Sequence, residues 1–209
     1  QGQADFNQPI GSWNVSNVDD MSNMFIYCSS FNQDIGNWDM RNKDFFGTFQ
    51  SATAFNNGGQ PLNWDVSRST LVVKENMEDM FRDATSFNQD VSSWDVTNVS
   101  GFDNMFDGAT SFNQDISSWN VSNAGLNNGY SSSSTKTFVS MIRNSGMSTA
   151  NYDALLIAWS GLTFAYTGNA YTTYFLGAGT IQYSAAAATA RGILTGAPNN
   201  FTITDGGQV

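Results

Sequence analysis

Apolar and aromatic residues recur along the first part of this chain with a period of about 25 residues. Each copy opens with Phe-Asn, at Phe6, Phe31, Phe55, Phe87 and Phe112. A tryptophan follows in each copy, at Trp13, Trp38, Trp64, Trp94 and Trp119. A pair that ends in Phe comes next, at Phe25, Phe49, Phe81 and Phe106. Such a period is typical of proteins whose units bury their apolar faces against one another, so we predict that these rings form the core.

Within one copy, the apolar spacing predicts two short elements. Residues 10–15 alternate so that Trp13 and Val15 point inward, which predicts a strand. The next apolar positions fall at i, i+3, i+4 and i+7, which predicts one or two helical turns. These positions are Met21, Met24, Phe25 and Cys28. We therefore predict an α/β solenoid, a leucine-rich-repeat-like coil of short parallel strands and short helices with a C-terminal α/β cap.

The pattern divides the chain into three parts. Residues 1–124 are predicted to form five rungs, 125–147 a Gly/Ser-rich loop with a degenerate rung, and 148–209 a capping unit and exit linker. In the cap, Ser148 and Gly161 are predicted to bound a first helix. A second helix is expected at about 184–194 and a strand at 201–203. Tyr152, Leu155, Leu156 and Trp159 form the apolar face of the first helix.

The third copy carries insertions at 57–61 and 68–76. They are interpreted either as tolerated loop insertions or as a specificity loop. The Asn that follows each opening Phe is predicted to bond backbone groups in a buried ladder rather than to hold a ligand. These residues are Asn7, Asn32, Asn56, Asn88 and Asn113. Cys28 occupies a small apolar position of the repeat, which favours a structural role.

Composition narrows the range of functions. The net charge is −10, from 8 basic and 18 acidic residues, and the basic residues form no cluster. Nucleic acids and anionic membranes are therefore unsuitable partners. The chain has no histidine and one cysteine, so it lacks the commonest general base, a disulfide framework and a cysteine-based zinc site. No apolar run is long enough for membrane insertion.

The strings FNQDIGNWDM, FNQDVSSWDV and FNQDISSWNV resemble the BspA-type leucine-rich surface proteins and the related bacterial surface repeat. The resemblance covers residues 5–123, and the tail is similar to the segment that closes such arrays. It implies a secreted or surface-attached bacterial protein that acts in adhesion and protein binding. It also implies an extracellular or cell-surface location, and it supplies no catalytic residues.

Candidate binding residues follow each tryptophan. The residue between Trp and the next apolar position is predicted to point outward, as is the residue two positions later. These positions are Asn14, Asp39, Asp65, Asp95, Asn120, Ser16, Arg41, Ser67, Thr97 and Ser122. Stacked carboxylates repel one another unless Arg41, Arg68, a cationic protein ligand or calcium compensates. A solvated acidic face is the plain alternative.

We therefore predict a non-catalytic extracellular adhesion module that recognises a protein or peptide, preferably basic, through an acidic concave strand face. It is expected to need no cofactor and to be part of a larger multidomain surface protein. Calcium binding is a further alternative, either at the stacked carboxylates Asp39, Asp65 and Asp95 or at Asp34, Asp90 and Asp115. The alternatives are a structural spacer and a carbohydrate-binding module. The candidate sugar platforms are Tyr130, Tyr166, Tyr171 and Tyr174.

Overall fold

The computed structural model describes residues 2–69, 77–125, 135–165 and 172–209. Its regular elements lie mainly in the C-terminal third. They are β1 (Thr135–Thr137), α1 (Thr149–Ser160), β2 (Thr172–Gly177), a 3-10 helix (Ala185–Ala187), α2 (Ala188–Thr195) and β3 (Thr202–Thr204). A further 3-10 turn, Asn57–Gly59, lies in the third copy of the repeat.

The three strands form a small parallel sheet in the order β1-β2-β3. β2 pairs with β1 in the register Thr135↔Thr172 and with β3 in the register Phe175↔Thr202. The two α-helices pack against each other. None of the helices in the described ranges is long and apolar enough to cross a membrane.

The predicted α/β solenoid is wrong. In the described part of the repeat region, residues 2–69 and 77–125, no copy contains a strand or an α-helix. The regular structure consists instead of few helices and the small parallel sheet, and the repeats themselves are built from successive turns. The elements that the apolar spacing predicted for each copy are therefore absent from this part of the chain.

The predicted helical turns fail because two residues in each copy adopt a left-handed backbone. Asn23 has a φ of 57° and Tyr27 a φ of 59°, which interrupts a right-handed helix after one turn. The matching pairs are Gly47 and Ser51, Asp79 and Asp83, and Asn104 and Gly108. The local bonds therefore span three residues, as from Met24 N to Met21 O at 3.0 Å. Two consecutive turns of this kind produce the same apolar spacing as a helix.

The remaining N–H groups of these turns bond to the next copy. Phe25 N donates to Thr48 O at 2.8 Å, Phe49 N to Met80 O at 2.9 Å, and Phe81 N to Met105 O at 2.9 Å. The same pattern continues beyond the fifth tryptophan, where Phe106 N donates to Met141 O at 2.8 Å. Successive copies are thus joined by backbone hydrogen bonds in one register.

The predicted strand fails for a related reason. Trp13 N donates to Ile10 O at 2.9 Å and Val18 N donates to Val15 O at 3.0 Å, so both groups are used within their own copy. A ladder to a neighbouring strand requires these groups to bond across copies instead. Residues 10–18 consequently form turns rather than an extended strand.

The aromatic core is confirmed. The opening Phe rings lie over one another, with centroids 5.8 Å apart for Phe31 and Phe55 and 6.0 Å apart for Phe87 and Phe112. The later Phe rings form a second column, as at Phe49 and Phe81, 5.6 Å apart. Cys28 is buried as predicted, and burial raises the pKa of its thiol.

The tryptophans are buried with one exception. The prediction that Trp13 points inward is wrong, because its side chain is 53% exposed, whereas Trp38, Trp64, Trp94 and Trp119 are at most 4% exposed. Trp64 Nε1 donates to Ile35 O at 2.9 Å, and Trp119 Nε1 donates to Val91 O at 2.9 Å. A buried indole thus links one copy to the carbonyl of the copy before it.

The predicted asparagine ladder is confirmed, although its side chains are exposed or half-buried rather than buried. Asn7 Oδ1 accepts from Asn32 N at 3.0 Å, and Asn32 Oδ1 accepts from Asn56 N at 2.8 Å. Asn56 Oδ1 then accepts from Asn88 N at 3.0 Å, and Asn88 Oδ1 from Asn113 N at 2.9 Å. These groups satisfy backbone donors that the turns leave unpaired.

The first helix predicted in residues 148–209 is confirmed. Ser148 caps α1 by accepting from Asn151 N, and Gly161 follows its last residue. Tyr152, Leu155, Leu156 and Trp159 are buried. The second predicted helix divides into the 3-10 helix at Ala185–Ala187 and α2, which ends before Gly196. β3 begins one residue later than predicted.

The first of the two predicted insertions in the third copy forms hydrogen bonds both to the second copy and within itself. Asn57 is fully buried, accepts from Ile35 N at 2.8 Å, and donates to Gln60 O at 2.9 Å and Pro61 O at 3.1 Å. Residues 70–76 of the second insertion and 126–134 of the predicted loop lie outside the described residues.

Candidate functional site

The candidate binding residues occupy turns, not a strand face. In every copy, Oδ1 of the Asn or Asp after the tryptophan accepts the backbone N–H of the residue two positions later. The pairs are Asn14 with Ser16, Asp39 with Arg41, Asp65 with Ser67, Asp95 with Thr97, and Asn120 with Ser122. The N–O distances run from 2.9 Å at Asp65 to 3.3 Å at Asp39. The predicted concave strand face is therefore not present at these residues.

The five Asn and Asp residues share one side of the repeat region. Each follows a Trp and precedes a buried apolar residue, so its side chain projects outward, as Asp65 does between Trp64 and Val66. The copies stack in one register, with Trp64 and Trp94 rings 6.1 Å apart and Trp94 and Trp119 rings 6.4 Å apart. Asn14, Asp39, Asp65, Asp95 and Asn120 are hereafter the acidic row.

Of the groups considered as compensation for the repulsion within the acidic row, Arg41 pairs with one of its carboxylates. Its Nε lies 3.0 Å from Asp39 Oδ1 and its Nη2 lies 2.9 Å from Asp39 Oδ2, a bidentate ion pair. The side-chain hydrogen bonds from Arg41 are the main cause that lowers the pKa of Asp39 to about 2. Arg41 also interacts electrostatically with Asp65. The hydrogen bonds and negative charge of Asp39, and the negative charge of Asp65, raise the pKa of the Arg41 guanidinium.

Arg68, the other predicted partner, does not join the row. Its Nη1 lies 3.1 Å from Asp44 Oδ1, and its side chain is only 8% exposed. It also donates to the carbonyl oxygen of Lys43. Arg68 therefore stabilises the contact between the second and third copies from within the structure.

Asp65 and Asp95 present their carboxylates to solvent. Hydrogen bonds from Ser67 lower the pKa of Asp65, while the nearby charge of Asp39 opposes this change. Within the described ranges, no Lys or Arg side chain forms an ion pair with Asp65 or Asp95. The Asx turns hold both carboxylates in place. Their negative charges are not neutralised by an ion pair with a described Lys or Arg side chain.

The second acidic set has the same turn chemistry. Oδ1 of Asp34, Asp90 and Asp115 accepts from Gly36 N, Ser92 N and Ser117 N at 2.9 to 3.0 Å. The turn interpretation of this set is therefore confirmed. Among the described residues, no group of three or more acidic, Cys or His side chains is arranged to hold a metal ion. Calcium binding stays a prediction.

One of the four tyrosines predicted as sugar platforms lies among the described residues. Tyr174 is buried and stacks on Phe201 with centroids 4.7 Å apart, so it offers no surface for a sugar. Tyr130, Tyr166 and Tyr171 lie outside the described residues.

Sequence reasoning missed Lys43. This side chain is 2% exposed, and its Nζ donates to Val15 O at 2.9 Å and to Val18 O. Lys43 stands at the position that Val18 and Val99 occupy in other copies, so a lysine in an apolar register was the available signal. Its ammonium group bonds to carbonyls of the first copy, and its positive charge makes a small contribution to the low pKa of Asp39.

Comparison with known proteins gives one family. Two overlapping segments, residues 1–73 and 59–145, match the family model described as "Mycoplasma protein of unknown function, DUF285". Neither the comparison with curated proteins nor the comparison with solved structures finds a match.

Proposed function

Because the chain belongs to the DUF285 family, which is associated with BspA-like surface repeat proteins, we propose that it is a non-catalytic module that binds a basic protein segment outside the cell. The acidic row forms the binding surface in this proposal. We also propose that the chain is related to the BspA-type leucine-rich surface proteins, and the repeated FNQD and Trp strings support this relationship.

The observation that carries the proposal is the state of Asp65 and Asp95. Both are exposed, and one oxygen of each is held by a backbone N–H at 2.9 and 3.0 Å. A carboxylate fixed in this way loses little conformational freedom when a cation binds, so less of the interaction energy is lost to ordering.

Arg41 shows within the chain how such a cation binds. Its guanidinium forms two hydrogen bonds of 3.0 and 2.9 Å with the carboxylate of Asp39. Asp65 and Asp95 occupy the equivalent position in the next two copies. An Arg side chain of a ligand can make the same bidentate contact there. The net charge of −10 favours the approach of a basic ligand and disfavours an acidic one.

Titration of a labelled Arg-rich peptide into the protein tests the proposal. We expect saturable binding that weakens as salt rises, because exposed charges are screened. The combined Asp39→Asn, Asp65→Asn and Asp95→Asn variant should weaken binding by about tenfold or more. Folding should be retained, since an Asn side chain forms the same Asx turn and already does so at Asn14 and Asn120.

A matched control separates a defined surface from general acidity. The combined Asp34→Asn, Asp90→Asn and Asp115→Asn variant removes the same charge and preserves the same kind of turn. It should bind the peptide almost as well as the unaltered protein. Equal losses in both variants would mean that only net charge matters. An absence of binding to any basic peptide would favour the spacer alternative.

A further inference from the structure

One member of the acidic row is already occupied by a cation from the chain itself. Arg41 uses both oxygens of Asp39, with Nε 3.0 Å from Oδ1 and Nη2 2.9 Å from Oδ2. The backbone N–H of Arg41 is a third donor, 3.3 Å from Oδ1. A guanidinium therefore engages Asp39 in the way that the proposed ligand engages Asp65 and Asp95.

Arg41 is a departure from the repeat. The residue at this position in the other four copies is short and uncharged, namely Ser16, Ser67, Thr97 or Ser122. In each of those copies the backbone N–H of this residue closes the Asx turn. The turn of the second copy therefore does not require the guanidinium of Arg41, and this group is available for another role.

The ion pair between Arg41 and Asp39 lies at the surface. The side chain of Arg41 is 58% exposed and that of Asp39 is 40% exposed. Exposed ion pairs contribute little to stability, so a competing cation opens this pair at a small cost in free energy. The carboxylate stays in place when the guanidinium leaves, because the backbone N–H of residue 41 still bonds to Oδ1.

Arg41 also interacts with the next member of the row. The negative charge of Asp65 contributes to the raised pKa of the Arg41 guanidinium, and the positive charge of Arg41 contributes to the lowered pKa of Asp65. A cationic group that approaches Asp65 therefore meets a like charge on Arg41. Arg41 thus opposes a basic ligand in two copies, by occupation of Asp39 and by repulsion near Asp65.

We propose that Arg41 is an internal competitor of the basic ligand and limits its access to Asp39. This inference rests on the proposed function, because it concerns regulation of the same surface. A ligand with two cationic side chains binds at Asp65 and Asp95 while Arg41 stays on Asp39. A ligand with a third cationic side chain displaces Arg41 and forms its additional ion pair in place of the internal one.

Titration of a labelled Arg-rich peptide into variants of the whole chain tests the proposal, at an ionic strength of about 0.15 M. Arg41→Gln should bind the peptide about three- to fivefold more tightly than the unaltered protein, because the competing ion pair is removed. Arg82→Gln removes the same charge, but Arg82 pairs with Asp79 and not with the acidic row. This control should change the affinity by less than about twofold.

A double variant shows whether the gain acts through Asp39. Arg41→Gln combined with Asp39→Asn has the net charge of the unaltered protein and lacks both groups of the pair. The Asn side chain retains the Asx turn, as at Asn14 and Asn120. The affinity of this variant should return to within about twofold of the unaltered protein.

The outcomes distinguish this inference from the proposed function. If the unaltered protein binds the peptide, and Arg41→Gln binds it no more tightly than Arg82→Gln, the internal competition is overturned and the acidic row stands as the binding surface. A gain that persists in the double variant also overturns the inference, because it does not depend on Asp39. If neither the unaltered protein nor Arg41→Gln binds, the proposed function fails and this inference fails with it.

Discussion

The backbone N–H of Ser148 donates to Oδ1 of Asn113 at 2.8 Å. In the preceding copies, this oxygen accepts from the Asn of the next copy, as Asn88 Oδ1 does from Asn113 N at 2.9 Å. Asn151 Nδ2 similarly contacts Asn113 Oδ1 at 2.9 Å, the role that Gln114 plays toward Asn88. The start of α1 thus replaces a repeat, and the cap continues the asparagine ladder.

This arrangement predicts that Asn113→Ala weakens the attachment of the cap. The change removes the acceptor of Ser148 N and one of the two acceptors of Asn151 Nδ2, which keeps its bond to Asn113 O, so we expect a loss of about 1–2 kcal/mol in the free energy of unfolding. Asn113→Asp retains the acceptor oxygen and should lose less. Urea denaturation followed by circular dichroism measures both. Equal losses would show that the acceptor at Asn113 is not what holds Ser148.

Two buried tryptophans offer a matched comparison. Trp119 Nε1 donates to Val91 O at 2.9 Å, whereas Trp94 Nε1 is buried and has no partner among the described residues. Trp119→Phe should therefore lower the free energy of unfolding by about 1 kcal/mol more than Trp94→Phe does. Trp94→Ala should cost about 3–5 kcal/mol, because it opens a core cavity. Denaturant melts provide all three values.

A reversed order for the two Phe variants would contradict this account of the indole hydrogen bonds. Trp13→Phe is the surface control. Because Trp13 is 53% exposed, it should change the unfolding free energy little.

Glycine substitutions in the cap should have opposite effects. A Cβ on Gly177 in β2 would lie 2.4 Å from Ser140 N and 2.7 Å from Ser140 Cα, so Gly177→Ala forces backbone groups apart. We expect it to cost about 1–3 kcal/mol. Gly192 lies in α2 with open space around its Cβ position, so Gly192→Ala should stabilise the protein by up to about 1 kcal/mol. Thermal melts of both variants test the contrast, and a stable Gly177→Ala protein would contradict the close approach.

The ion pair of Asp39 predicts an acid-dependent contribution. Its pKa is about 2 in the folded chain against an ordinary value of 3.8, so the folded state binds its proton less readily. Its contribution to stability is therefore present above the ordinary value and is lost as pH falls toward 2. An NMR titration of the carboxyl carbon should show this low pKa.

In the Arg41→Gln variant, the pKa of Asp39 should rise toward 3.8, since the guanidinium is the main cause of its low value. It should stay somewhat below 3.8, because the backbone N–H of residue 41 still bonds to the carboxylate. Arg82→Gln is the control, since Arg82 pairs with Asp79 and not with the acidic row. An unchanged pKa in Arg41→Gln would contradict the bidentate pairing.

Much of the candidate site was predictable from sequence, because a fixed period places equivalent residues together. The period predicted that the residues of the acidic row lie together, and it left Arg41, Arg68, a cationic ligand and calcium as alternative partners. The structure shows that Arg41 pairs with Asp39. The burial of Arg68 against Asp44 could not be predicted. The sequence pattern does not distinguish an arginine that faces the acidic row from one that is buried between two copies. The contacts of Lys43 could not be predicted either. Its acceptors are backbone carbonyls of residues 15 and 18, which become its neighbours only when the first two copies stack.

The sequence by itself determined most of the core, apart from the exposed Trp13 and the buried Lys43, and it determined where α1 begins and which asparagines form the ladder. Each of these depends on residue type and period. Only the tertiary structure decided that each copy folds as turns. The apolar spacing of Met21, Met24, Phe25 and Cys28 suits both a helix and two consecutive turns. The left-handed backbone of Asn23 and Tyr27 directs N–H groups to the neighbouring copy, and those bonds exist only once the copies are stacked.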